Sequence, residues 1–124
     1  MNLDKTTAFY IRSAVEDNDA VQQQETLLRT YADKHGYDAV DLYVDNGAGG
    51  NALDRPAFNK MNADIESGKI GAVIVRDIAR ISRDSAKCLD WINSVKSKDV
   101  TVISAQDGQV LTETDSKFAD FFRN

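Results

Sequence analysis

The chain has little of what would tie it to a metal, a membrane or a disulfide framework. Its single cysteine, Cys88, excludes an internal disulfide, and with His35 as the only histidine there is no Cys/His cluster of the kind that holds zinc. Cys88 is expected to be a small buried apolar group. No apolar stretch approaches the roughly 20 residues needed to span a bilayer, and the first residues lack the basic-then-apolar plan of a secretory signal. A soluble, cytoplasmic protein that uses no cofactor is expected. Net positive charge is also missing: the balance is -5, which argues against indiscriminate attraction to a polyanion. Any contact with nucleic acid has to be local. Internal repeats and low-complexity segments do not occur.

What is present suffices for one globular domain, because 124 residues with 42% hydrophobic side chains can enclose an adequate core. Thr6 to Ala14 reads as a buried strand: Ala8, Phe9, Tyr10 and Ile11 lie together without helical caps, and Arg12 and Ser13 fall at its carboxyl end. Glu16 to Asp19 is a polar turn with capping residues, and Val21, Leu27, Leu28, Tyr31 and Ala32 form a helical stripe that Gly36 stops. Tyr37 to Val44 alternates as a strand near the sheet edge. Asp45 to Asn51 is a glycine-rich loop.

Pro56 suits the first position of a helix that buries Phe58, Met61 and Ile65 and closes at Gly68. Ala72 to Val75 is apolar enough for the centre of a parallel sheet. A third helix carries Leu89, Ile92 and Val95, and Val100 to Ile103 makes a fourth strand. The order βαβαβαβ predicts an α/β domain of three layers, a mostly parallel four-stranded sheet with helices on both faces.

In such sheets ligands bind at the carboxyl ends of the strands. Arg12, Arg55, Arg76, Arg80 and Arg83 all fall at predicted strand ends or in adjoining loops, and Arg80 and Arg83, three apart, would share one face of a helical turn. Any single arginine of this set reads most simply as a surface solubiliser. Together with a glycine loop they describe an anion site, since the planar guanidinium fork matches phosphate oxygens. A serine beside them could attack phosphorus while the cations stabilise the added negative charge without a metal. Neither the Gly-Lys-Ser/Thr of a P-loop nor a dinucleotide fingerprint is present, and Arg12-Ser13 stands where a response-regulator receiver would need acids.

These residues resemble the catalytic domain of serine recombinases, the resolvase/invertase family that includes the large integrases of mobile elements. Tyr10-Ile11-Arg12 is similar to the family opening Tyr-x-Arg-Val-Ser. Gln24 before Leu27-Leu28-Arg29 resembles its first-helix glutamine, and Asp45-Asn46-Gly47 through Leu53-Asp54-Arg55-Pro56 its glycine-rich loop and Asp-Arg-Pro. Asp77-Ile78-Ala79-Arg80-Ile81-Ser82-Arg83-Asp84 is similar to the family's Asp-Leu-Ser-Arg-Leu-Gly-Arg-Asp. The likeness covers nearly the whole chain.

The resemblance implies DNA recombination: a serine attacks a phosphodiester of double-stranded DNA, a 5'-phosphoserine link forms, a 3'-hydroxyl leaves, and rejoining follows strand exchange in a tetramer. It casts Ser13 as nucleophile and Arg12, Arg55, Arg80 and Arg83 as phosphate and transition-state groups. Tyr10, Gln24 and Asp77 join the substrate site, Asp77 equally as a helix cap or ion-pair partner of Arg80. Trp91, Phe118, Phe121 and Phe122 are expected in a core or interface. The resemblance also implies that residues 116–124 begin a long dimerisation helix, that the full-length protein is a homodimer or tetramer without membrane association, and that a separate DNA-binding region follows in relatives.

Two positions depart from the family. The family serine stands two residues after Arg12, where this chain has Ala14, and Gly49 replaces a loop serine. Neighbouring strand residues face opposite ways, so Ser13 needs a bulge or the strand's end to take the serine's place. Either the nucleophile is rebuilt on Ser13, or the chain is a degenerate assembly or DNA-binding subunit. A small phosphate-binding module is a third possibility that the residues alone leave open.

Overall fold

The computed structural model describes residues 5–48 and 55–112. Strand β1 (Thr6–Ser13) is followed by helix α1 (Asn18–His35), β2 (Val40–Asn46), α2 (Pro56–Glu66) and β3 (Ile70–Val75). A 3-10 turn (Ile78–Arg80) leads to α3 (Ser85–Lys96), β4 (Thr101–Ser104) and a two-residue β5 (Gln109–Val110). The sheet order is β2-β1-β3-β4-β5. The first four strands are parallel and β5 returns antiparallel to β4. The domain is thus the expected three-layer α/β fold with five strands instead of four. Gln109-Val110 escaped prediction because two residues show no periodicity.

The local signals act as elementary chemistry directs. Asp17 accepts a hydrogen bond from the Ala20 N–H at the start of α1, and Gly36, at φ 78°, ends it in the left-handed region that a side chain disfavours. Helix α2 opens on Pro56 and buries Phe58, Met61 and Ile65 as expected. Its N-terminal cap comes from elsewhere. Asp45, at the tip of β2, accepts from the Ala57 and Phe58 N–H groups at 2.9 and 3.0 Å.

Alternation along β1 separates two cores. Ala8 and Tyr10 pack with Phe58, Met61, Trp91, Ile92 and Val95 under α2 and α3. Phe9 and Ile11 pack with Leu28 and Ala32 under α1. Strand β2 departs from its sequence reading. It begins at Val40, not Tyr37, and its buried positions are Tyr43 and Asp45, while Leu42 is 42% exposed. As an edge strand it leaves Leu42 uncovered while Val40 and Val44 still pack on the α1-side core.

The chain passes from β1 outward to β2 and then back across to β3, so the sheet's switch point lies between β1 and β3. At the carboxyl ends of these two strands the crevice opens, and there the arginines gather.

Candidate active site

The tip of β1 places Tyr10 and Arg12 on the α2/α3 side. Arg12 is 1% exposed, and each of its guanidinium nitrogens donates to a backbone carbonyl: Nε to Arg80 at 3.0 Å, Nη1 to Ala48 at 2.8 Å and Nη2 to Ala79 at 2.9 Å. Arg55, 2% exposed, sits beside it. Its Nη1 donates to Tyr10 Oη and to the Arg80 carbonyl, both at 3.0 Å, and its Nη2 to the Ile81 carbonyl at 2.6 Å. The Tyr10 hydroxyl in turn donates to Asp45 Oδ2 at 2.8 Å. Burial pushes the Tyr10 pKa upward, with the bond from Arg55 opposing it and the bond to Asp45 adding to it.

Arg80 closes the ring. Its Nη1 donates to the Arg12 carbonyl at 3.2 Å, an acceptor shared with Gln24 Nε2 at 3.0 Å. The residue before Ser13 is therefore held from α1 and from the 3-10 turn at once. Among the described residues Arg80 Nε has no hydrogen-bond partner but lies 3.5 Å from Asp77 Oδ1, and Gln24 Oε1 is also buried without one. Asp77 caps the turn through the Ala79 N–H at 3.0 Å, so both of its sequence readings as cap and ion-pair partner hold.

Burial first, then the positive charges of Arg55, Arg80 and Arg83, hold the Arg12 pKa below its ordinary value. Arg12, Arg55 and Arg80 thus meet at one strand end although far apart in sequence, and Arg83 lies near enough for its charge to bear on Arg12. Arg83 is exposed and follows the 3-10 turn, so Arg80 and Arg83 do not share a helical face as expected. A 3-10 turn of three residues ends before Arg83 is reached. Arg76 is turned outward, its Nε donating to Gln106 at 3.0 Å.

Ser13 stands apart from this set. It is 7% exposed, and its hydroxyl donates to the Val15 carbonyl at 2.6 Å. The β1–β2 register runs without a shift from Thr7 to Ser13, so no bulge turns Ser13 toward the arginines. By alternation it lies on the α1 side with Phe9 and Ile11. Ala14, which is exposed, follows in the bend just past the strand's end, where alternation no longer fixes a face. Gly49, Asp54 and residues 116–124, with Phe118, Phe121 and Phe122, lie outside the described residues.

Asp45 was missed in the sequence, while Cys88 is buried as expected. Asp45 looked like a loop residue, and only its place one step beyond the alternating strand hinted at burial. The Cys88 thiol donates to the Ser82 carbonyl at 3.0 Å behind the turn, and burial pushes its pKa up from 9.0 to about 11. Trp91 is a core residue, its Nε1 donating to Asn62 at 2.8 Å. A second cavity, of about 810 Å³, lies at the opposite end of the sheet among Thr6, Ala39, Gly71 and Thr101, far from this chemistry. No helix among the described residues is long and apolar enough to cross a membrane.

A doubly wound sheet with cations gathered at its switch point is an α/β domain suited to an anion. Known proteins narrow that class: the family described as Resolvase, N terminal domain, matches residues 7–124, and the chain belongs to the resolvase family. A resolvase of Clostridium perfringens is 26% identical over 112 residues, which are 90% of this chain and 55% of that protein. A Bacillus subtilis (strain 168) relative is 29% identical over 98 residues, 77% of this chain and 19% of that protein. The chain thus spans about half or less of the length of these relatives.

The solved N-terminal catalytic domain of TP901-1 integrase superposes with a TM-score of 0.81 at 26% identity, covering 96% of this chain and 97% of that one. A resolvase family site-specific recombinase from Streptococcus pneumoniae has the same fold, with a TM-score of 0.74 at 22% identity over 96% of this chain and 89% of that one. The fold is that of a resolvase-family recombinase catalytic domain.

Proposed function

We propose that this domain receives a phosphodiester of double-stranded DNA in the arginine crevice at the tip of β1, as part of a site-specific recombinase. The observation that carries the reading is the meeting of Arg12, Arg55 and Arg80 around one strand end, with the charge of Arg83 close enough to bear on Arg12. Guanidinium groups preorganised in a partly water-excluded crevice are suited to the charge that builds on a pentavalent phosphorus. The hydroxyl oxygen bonds to phosphorus, the bond from phosphorus to the 3' oxygen breaks, and that oxygen takes up a proton. One phosphodiester replaces another, so rejoining after strand exchange needs no outside energy. Tyr10, Gln24 and Asp77 serve by holding the arginines and the strand end. A dimer or tetramer of the full-length protein would bring the exchanging strands together.

Ser13 can serve as nucleophile only after its bond to Val15 opens and the strand end turns over. A second reading is favoured by this geometry and by Ala14: the domain grips and aligns DNA within an assembly, and cleavage is left to another subunit.

The test is incubation of the full-length protein with the end DNA of its own element, followed by a search for protein covalently joined to a 5' end. Attachment that disappears in Ser13→Ala supports Ser13 as nucleophile. Attachment only in Ala14→Ser supports the second reading. No attachment in either, together with no retention of the DNA, removes the phosphodiester reading altogether.

A further inference from the structure

Strand β2 ends on two neighbouring polar residues that face opposite layers, and each holds the start of a helix. Asp45 accepts from the first turn of α2. Asn46 pairs with Ser13 in the last rung of the β1–β2 ladder and, two residues beyond Val44, lies on the α1 side. Its Oδ1 accepts from the Asp17 N–H at 2.8 Å, and its Nδ2 donates to Asn18 Oδ1 at 2.9 Å.

The start of α1 shows why this contact is needed. Asp17 caps the helix by accepting from the Ala20 N–H. In a capping box a Glu or Gln at the position of Ala20 would reach back to the cap's own N–H. Alanine cannot, and Asn46 supplies the acceptor from another strand, 29 residues along the chain. A side-chain amide suits the place because it accepts from one neighbour and donates to the other, which an ionised carboxylate cannot do.

Backbone bonds continue the same seam. The Ser13 carbonyl accepts from both the Gly47 and the Ala48 N–H, at 2.8 and 2.9 Å. Gly47, at φ 99°, takes a conformation that a side chain disfavours, and its backbone runs close enough to Glu16 that a Cβ would sit 3.5 Å from the Glu16 nitrogen. The turn from Ser13 to Asn18 is therefore fastened to the first residues of the glycine-rich loop at both of its ends, while the Ser13 hydroxyl is bonded to Val15 inside it.

We propose that Asn46 is a positioning residue that joins this turn to the loop, so that the two open and close as one body. Its bearing on the reaction rests on the reading of Ser13 as nucleophile: the strand end can turn over only when the Asn46 amide lets go of Asp17 and Asn18. Asn46 is then a brake on the hydroxyl, although it touches neither Ser13 Oγ nor the phosphate.

Amide hydrogen exchange in the intact chain under native conditions tests the joint. Asn18→Ala removes the bond from the far partner and leaves the Asp17 cap in place. It is expected to lower the protection of the Gly47 and Ala48 N–H groups, which bond to Ser13 and not to Asn46, by roughly three- to tenfold, the scale of one hydrogen bond. Ile11 and Leu28, which report the opening of the core, should change less. Asn46→Ala should act in the same direction and at least as strongly. Loss of protection at Asp17 alone in Asn18→Ala would overturn the joint. In the full-length protein, Asn46→Ala is expected to raise the rate of attachment to a 5' end by a similar factor, because the bonds it removes exist only before the strand end turns over. An unchanged or slower rate would overturn the brake. No attachment by either form, with protection lost as expected, would remove Ser13 as nucleophile and leave the joint standing.

Discussion

The two sides of β1 at its tip are built from adjacent residues and behave as different materials. On the α1 side, Phe9 and Ile11 enter an apolar cluster with Leu28 and Ala32, and Ser13 finishes the strand by bonding to its own neighbouring backbone. On the α2/α3 side the apolar layer gives way, after Tyr10, to a buried polar network of Tyr10, Arg12, Asp45, Arg55 and the turn carbonyls. One side stops at an ordinary strand end. The other places cations in a crevice, with their desolvation offset by carbonyl acceptors and one carboxylate. Chemistry within a fold can therefore turn on which of two neighbouring residues bears the hydroxyl.

The largest way to break this contrast is Arg55→Ala, which leaves Tyr10 Oη and the Ile81 carbonyl without a donor that now reaches them. Stability in urea is expected to fall by on the order of 4 kcal/mol, with loss of duplex binding. Leu28→Ala probes the opposite side. It should cost roughly 3 kcal/mol by cavity formation, yet leave the duplex affinity of the folded protein unchanged. Equal loss of binding in the two variants would mean that the sides are not separable.

Alkaline pH sharpens the contrast more gently. The Cys88 thiol titrates at 9.0 when free and at about 11 when folded, so its contribution is fully present below about pH 9 and is lost between those values. The fall should reach about 3 kcal/mol, from roughly 1.4 kcal/mol for each of two pKa units. Tyr10 and Tyr43, both raised, add in the same direction at higher pH. In Cys88→Ala the urea midpoint should stay flat with pH until the tyrosines begin to titrate. The smallest effect belongs to Ser13→Ala, expected to change stability by under about 1 kcal/mol, as for loss of one local hydrogen bond. A loss several times larger would show that the hydroxyl helps to hold the crevice.

Much of this was legible in advance wherever one residue determines one local outcome. Asp17 and Gly36 bound α1, Pro56 opens α2, and the run from Ala72 to Val75 lies in the central strand. The arginines could be named because cations at strand ends are unusual in an acidic chain. Their partners could not be named, because backbone carbonyls of a turn leave no trace in residue identity. Asp45 caps a helix from another element, and local capping patterns look only at residues beside the helix. The phase of β2 was hidden by the edge position, where Leu42 need not be covered and Tyr43 is.

Which of residues 13 and 14 lies nearer the arginines can be measured directly through thiol acidity. Buried Cys88 leaves a single reactive thiol in each of Ser13→Cys and Ala14→Cys. A thiol among guanidinium groups ionises more easily than a free one. The expected result is a pKa depressed by a unit or more at position 14 and an ordinary or raised value at position 13. A depressed value at 13 beside an ordinary one at 14 would put the hydroxyl of Ser13 among the arginines and contradict the geometry described above.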